Sequence, residues 1–366
     1  MRCLLLPTST LLLASLAGSA NGLAPTLALR RLPRSPLPIM RAEQHQEAEE
    51  LEDQELAEAA LAAAAQLRSE EGLAAVRADA AEAVVALKAG LEAGAFSPPS
   101  ATHKNTLYKA LKKPKGSMAL IGEGSPQSAI TLGGYDLNDP KYLSQQFRTA
   151  GATAICVRIG GEHELTPTAV KETAAEQDTA KGEFPGPLPI IARTNFIDGV
   201  QLAKVAADGA QSAMISLHLN GPEATKALME AAESYGLEPV LRVANAEEVA
   251  SALELGAKVL CFGDCSLPQA GELLADVPKD VRTICDVRVR DVRGAWKARD
   301  LGFNGLIVSD AVLEVRSCPE SLPTPSGRLL RAASLVSVRI LLLRVFRPLL
   351  SSSGMRPRPR TTGGRR

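Results

Sequence analysis

Between residues 105 and 315, short apolar runs alternate with amphipathic stretches, and a strand-like run recurs every 20–35 residues. The runs at 118–121, 154–159, 189–192, 213–217, 238–243, 258–262, 282–287 and 305–308 are predicted strands. The stretches at 141–150, 200–208, 221–235, 246–255 and 291–301 are predicted helices. Gly151-Ala152, Gly209-Ala210, Gly256-Ala257 and Gly302-Phe303 each stand just before the next strand. Glycine there supplies a helix stop with positive φ. Strands alternating with helices imply a parallel α/β fold, and eight is the number that closes a TIM barrel. An open doubly wound sheet is the other arrangement with this order. It is disfavoured because no run is followed by a Gly-rich dinucleotide fingerprint.

The flanks have a different pattern. Residues 1–22 carry one Arg, then an apolar run ending in small residues, as in a secretory signal peptide. Residues 23–41 are Arg-rich and acid-free, like a transit peptide. Together they resemble the two-part presequences of algae with secondary plastids, cut before a bulky residue and Ala-Pro, here Leu23-Ala24-Pro25. Plastid delivery is the expectation, and plain secretion the alternative. Residues 42–100 form an acidic Ala/Glu-rich extension with high helix propensity that ends at Ser97-Pro98-Pro99-Ser100. Its leucines recur every five or six residues, so no heptad seam forms. It reads as a surface helix and as the place for a protein partner. Residues 101–315 are the barrel. Residues 316–366 are a basic tail, either a last amphipathic helix or an artefact of the gene model. Four Arg between 329 and 350 disfavour a membrane span there.

The 366 residues are 45% hydrophobic and 22% charged, which is ordinary globular composition. Aromatics are 3%, so base stacking on nucleic acid is disfavoured and no specific nucleic-acid partner is expected. The zero net charge hides an asymmetry: residues 1–41 hold five Arg and no acid, and residues 316–366 eleven Arg and one Glu. The middle is therefore strongly acidic. Six Cys without paired spacing do not form a disulfide framework. Cys261 and Cys265, with Cys285, lack a nearby His, so buried thiols are expected rather than zinc. His163 and His218 are isolated in the sequence.

Residues 105–130 (NTLYKALKKPKGSMALIGEGSPQSAI) begin to resemble indole-3-glycerol-phosphate synthase. The likeness continues through LPIIARTNFIDGVQ (188–201), GAQSAMISLHL (209–219) and GLEPVLRVANAEEVASALELGAKVLC (236–261), and through the segments at 281–309. It covers about 105–315, and the order and spacing of the segments make it specific. It implies a TIM barrel whose active members close and decarboxylate carboxyphenylamino-deoxyribulose phosphate to indole-glycerol phosphate, without metal or cofactor. That reaction uses a Lys general acid, a Glu general base and a phosphate clamp at the C-terminal strand ends.

Carried over one position at a time, the resemblance places the first strand's Glu at Leu120 and its Lys at Gly122, with Glu123 expected on the opposite face. The third strand's Lys falls at Arg193, and the fifth strand's Glu at Arg242. The sixth strand's Asn falls at Gly263, beside Asp264. The seventh strand's Glu-Ser-Gly becomes Asp286-Val287-Arg288, and the eighth strand's Gly-Ser becomes Val308-Ser309. Ser-Pro-Ser survives as Ser125-Pro126-Gln127. The degenerate catalytic positions are thus Arg193 and Asp286. Ser125, Arg242, Arg288 and Ser309 are the substrate- or phosphate-binding positions. Arginine does not release a proton at neutral pH and makes a poor general acid.

Three functions follow as expectations: a family member without full synthase activity, acting as a binding or scaffold module; a carbon–carbon lyase (carboxy-lyase) using displaced groups such as Glu123, Arg193 and Asp286; or an enzyme of changed chemistry. Arg158, Arg193, Arg242 and Arg288 near the strand ends would suit a phosphorylated or carboxylated small molecule. The competing arrangement is a charge-paired, solvated rim in which Asp264 and Asp286 neutralise two of these arginines.

Overall fold

The computed structural model describes residues 58–59, 61–99, 105–114, 116–124, 139–160, 165–287, 289 and 292–308. The presequence, the tail, Ser125, His163, Arg288 and Ser309 lie outside the described residues. Eight parallel strands close into a barrel in chain order: β1 (Ala119–Gly124), β2 (Ala154–Arg158), β3 (Ile190–Arg193), β4 (Ser212–Ser216), β5 (Glu238–Val243), β6 (Val259–Phe262), β7 (Arg282–Cys285) and β8 (Gly305–Val308). The described helices are α1 (Glu70–Glu92), α2 (Thr106–Ala110), α3 (Pro140–Ala150), α4 (Ala169–Thr179), α5 (Gly199–Ala207), α6 (Leu217–Ser234), α7 (Ala246–Glu254), α8 (Leu267–Leu274) and α9 (Val292–Leu301). All eight predicted strands form, with ends shifted by at most three residues. The predicted helices form as well, and α2, α4 and α8 are additional.

The glycines ahead of the strands end their helices in left-handed conformation, with φ of 88° at Gly151, 99° at Gly209, 78° at Gly256 and 106° at Gly302. An L-residue would be strained there. Side-chain oxygens start the next helices. Asp198 caps α5, Asn245 caps α7 and Ser266 caps α8. These caps fix where each loop leaves the barrel.

Alternation sorts each strand into two faces. One set, including Leu120, Ile155, Leu241, Leu260 and Leu306, packs outward against the helices. The other, Ala119, Ile121, Ala154, Cys156, Ile191, Met214, Val240, Val259, Cys261, Ile284 and Ile307, fills the lumen. Both sets are buried, so the barrel is a packed core and not a pore. Helix α2 closes its N-terminal end. Leu107 and Leu111 insert into the lumen cluster. The Glu238 carboxylate accepts from the backbone N–H of Leu107 at 2.8 Å and of Tyr108 at 2.9 Å. Those are two of the N–H groups that a helix start leaves without an internal partner.

Candidate functional site at the barrel mouth

The C-terminal end of the lumen is filled by charge. Glu123, Arg193, Arg242 and Asp286 stand one alternation beyond the lumen residues Ile121, Ile191, Val240 and Ile284 of the odd-numbered strands. They form one four-membered layer, as alternate strands do in this architecture. Arg193 Nη1 donates to Glu123 Oε1 at 2.8 Å and to Asp286 Oδ1 at 3.0 Å, and its Nη2 lies 2.9 Å from Asp286 Oδ2. Arg242 donates through Nε to Asp286 Oδ2 at 3.3 Å. It also forks onto Asp264, with Nη1 at 2.6 Å and Nη2 at 2.8 Å. Side-chain exposure is 4% for Glu123, 9% for Asp286 and 14% for Arg193, so these pairs are withdrawn from solvent.

Gly263 makes room for this layer, because a Cβ there would lie 2.8 Å from Arg242 Nη2 and 3.0 Å from Asp286 Oδ2. Asp264 adopts φ of 58°, an uncommon conformation that aspartate tolerates. It turns the carboxylate back toward Arg242.

The electrostatics follow from burial and pairing. Burial alone would raise the Asp286 carboxyl, but Arg193 and Arg242 hold it below the usual carboxylate range. Burial would lower the Arg193 guanidinium, yet Asp286 and Glu123 push it well above its ordinary value. Under this layer, Cys156 Sγ donates to Glu123 Oε1 at 3.5 Å. Burial, then the Glu123 charge, pushes the Cys156 thiol well up, and burial with Asp286 does the same to Cys261. Cys156, Cys261, Cys265 and Cys285 are buried free cysteines. Thiols in such surroundings are poor nucleophiles. Among the described residues no group of three or more His, Cys, Asp or Glu is placed to hold a metal.

The structure brings Arg193, Arg242 and Asp286 together with Asp264. It does not describe Ser125, Arg288 or Ser309. Arg158 ends β2 beside Arg193 in register and is exposed. Of the two arrangements of the arginines, the described part of the mouth has the charge-paired one, buried rather than solvated. One expectation is corrected. Glu123 faces the lumen, and Gly122 faces outward, where a Cβ would lie 2.4 Å from Phe147 Cδ1. The Phe147 ring occupies that space, so the strand is set one residue from the ungapped alignment.

A further cluster was not visible in the sequence, where His218 reads as isolated. Arg68, just ahead of α1, pairs with Glu248 and lies 3.6 Å from Asp264. His218 Nε2 donates to the Arg68 carbonyl at 2.9 Å, and its Nδ1 is 3.5 Å from Glu248. Glu248 stands in the first turn of α7. It accepts from Ala244 N at 2.9 Å and Asn245 Nδ2 at 3.0 Å.

The amino-acid sequence that builds this barrel matches a family model over most of its length. The model for indole-3-glycerol phosphate synthase aligns with residues 73–322. The chain belongs to the indole-3-glycerol phosphate synthase family. A relative of that name from Haloarcula marismortui is 25% identical over 209 residues, covering 54% of this chain and 73% of its own length. One from Rhodococcus jostii is 24% identical over 247 residues, covering 65% and 87%. A multifunctional tryptophan biosynthesis protein from Schizosaccharomyces pombe is 33% identical over 101 residues, covering 25% of this chain and 13% of its own. Family membership bears on the site because the family resemblance calls for lysine acids and a glutamate base where the structure has Arg193, Arg242 and a second carboxylate, Glu123.

Proposed function

We propose that this member of the indole-3-glycerol phosphate synthase family has lost synthase turnover and serves as a binding or scaffold module. One observation carries this reading. Arg193 stands where the family resemblance calls for a proton-donating lysine, and it is fastened to two buried carboxylates. A guanidinium keeps its proton at neutral pH, and its two partners hold the proton more firmly still. Arg242 replaces the base with a group that cannot accept a proton. Each lost acid or base typically costs about 10²–10⁴-fold in rate, and such losses are not additive.

The test is turnover of carboxyphenylamino-deoxyribulose phosphate by purified protein, with complementation of a tryptophan auxotroph lacking the synthase. The chain is supplied with and without residues 1–41. No growth and no indole-glycerol phosphate are expected. Turnover at the rate of an active family member run alongside would overturn the proposal. The module's ligand would be a phosphorylated or carboxylated small molecule. Thermal stabilisation by at least one of a panel of phosphometabolites supports that part, and no shift across the panel refutes it. Plastid delivery by residues 1–41 belongs to the same proposal and is checked by fusing that segment to a fluorescent protein.

A further inference from the structure

The lumen-facing alternation does not end at the charged layer. On β2, Ala154 and Cys156 face the lumen, while Ile155, Val157 and Ile159 face the helices. The ladder runs on past β2, since Ile159 N donates to the Arg193 carbonyl at 2.9 Å. Arg158 therefore stands on the lumen side, one alternation above Cys156. On β4, Met214 faces the lumen and Ser216 stands one alternation above it. Beyond β6, Gly263 N donates to the Val243 carbonyl at 3.1 Å, and Gly263 takes the same place above Cys261 without a side chain. The strands β2, β4 and β6 thus carry a second layer above that of Glu123, Arg193, Arg242 and Asp286. Among the described residues, its side chains are one guanidinium and one hydroxyl.

Arg158 is exposed, whereas Arg193 beside it is fastened to Glu123 and Asp286. The charge of Arg158 acts across the lumen. Against the burial that raises the Asp286 carboxyl, it joins Arg193 and Arg242 in holding that group down. Its guanidinium therefore leans over the mouth. Ser216 Oγ accepts from Leu219 N at 3.3 Å as the N-cap of α6, which leaves the hydroxyl its proton to donate. The layer below has no surplus of positive charge, since Arg193 faces Glu123 and Asp286, and Arg242 faces Asp286 and Asp264. Among the described residues, a group entering above it meets one cation, with the Asp286 carboxylate behind.

We propose that Arg158 and Ser216 form a subsite for the carboxylate of a small organic acid, the guanidinium fork on its two oxygens and the Ser216 hydroxyl donating to one of them. A carboxylate brings the single charge that Arg158 balances, and its two coplanar oxygens match two parallel N–H bonds. A phosphate monoester carries about −1.5 to −2 at pH 7, and the excess would face Asp286. This rests on the proposed binding role, from which it takes an anionic small molecule, and it names the group recognised and the arginine that recognises it. Arg193 and Arg242 are spent on the layer below.

The full chain is treated with phenylglyoxal, which modifies accessible arginines, and modification is read peptide by peptide. The probes are benzoate and inorganic phosphate at tens of millimolar, with chloride balancing the ionic strength. Benzoate is expected to slow modification of Arg158 about threefold or more, the factor for a ligand at twice its Kd. Phosphate should slow it markedly less, and Arg293, exposed on α9, should be slowed by neither. Saturation-transfer NMR should show benzoate bound to the unsubstituted chain and not to Arg158→Gln, a change at an exposed side chain that leaves the layer below intact. An Arg158 that does not react, that reacts equally fast with benzoate present, or that phosphate protects as well as benzoate does overturns the subsite. Equal slowing at Arg293 overturns it too. Stabilisation by a phosphometabolite without benzoate protection removes the subsite and leaves the binding module standing. Protection of Arg158 in a chain that turns over the synthase substrate keeps the subsite and removes the module.

Discussion

Asp286→Asn isolates what the charged layer contributes. Asp286 lies between two guanidiniums, 2.9 Å from Arg193 and 3.3 Å from Arg242. With the carboxylate replaced by an amide, Arg193 still has Glu123 and Arg242 still has Asp264, but the two cations face each other with no negative charge between them. Neither can shed its charge, since arginine stays protonated. An exposed pair would be worth about 0–1 kcal/mol. Asp286 is 9% exposed, which places the loss with buried pairs broken from one side, about 3–5 kcal/mol. With a urea slope of about 2–3 kcal/mol/M, the midpoint should fall by roughly 1–2 M. The pH dependence has a definite sign. Because the folded Asp286 carboxyl is held below its usual range, its stabilisation is complete above the unfolded value of about 3.9 and is lost as pH falls through the lower folded value. Urea unfolding of both proteins at neutral pH and down to the acid limit of the fold should show a gap that is constant above about pH 5 and closes in acid. A gap under about 1 kcal/mol at pH 7, or one that persists undiminished where the carboxyl is protonated, would refute the role assigned to the layer.

Two further outcomes follow from the packing. Gly122→Ala drives a methyl into the Phe147 ring and should cost about 1–3 kcal/mol in urea unfolding. Pairing it with Phe147→Leu should recover part of that, and a neutral single substitution would show that Gly122 does not face the ring. Glu238→Gln turns an amide toward the two backbone donors at the base of α2 and should cost about 1–3 kcal/mol. Amide exchange at Leu107 and Tyr108 should rise well before that of the strands, and unchanged exchange would show that the clasp does not hold α2.

The barrel was legible because its signals are local and repeated: apolar runs in eight rounds, four of them preceded by a glycine stop. Helix α4 was missed because its sequence, AVKETAAEQDT, is mostly polar, and the face it buries is Ala169, Val170, Thr173 and Gln177. The meeting of Arg193, Arg242 and Asp286 was legible because strand ends at equivalent heights converge in a closed barrel. Glu123 was not. In a strand buried on both faces, hydrophobicity carries no information about which face is inward, and a shift of one position between strand and following loop reverses every side chain. The only clue was Gly122, whose missing side chain matches the Phe147 ring in the structure. Arg68 was hidden for another reason, since nothing in an Ala/Glu-rich segment with two arginines, Arg68 and Arg77, marks either as reaching the rim.

The charged layer also divides the molecule in a way the strand ladder does not. Glu123 and Arg193 belong to the first four strands; Arg242, Asp264 and Asp286 belong to the last four. Each half of the chain thus brings a satisfied couple of its own, and the bond between Arg193 and Asp286 rivets the two halves across the lumen. Two half-length pieces could meet with their polar ends already matched, one rivet deciding how they register.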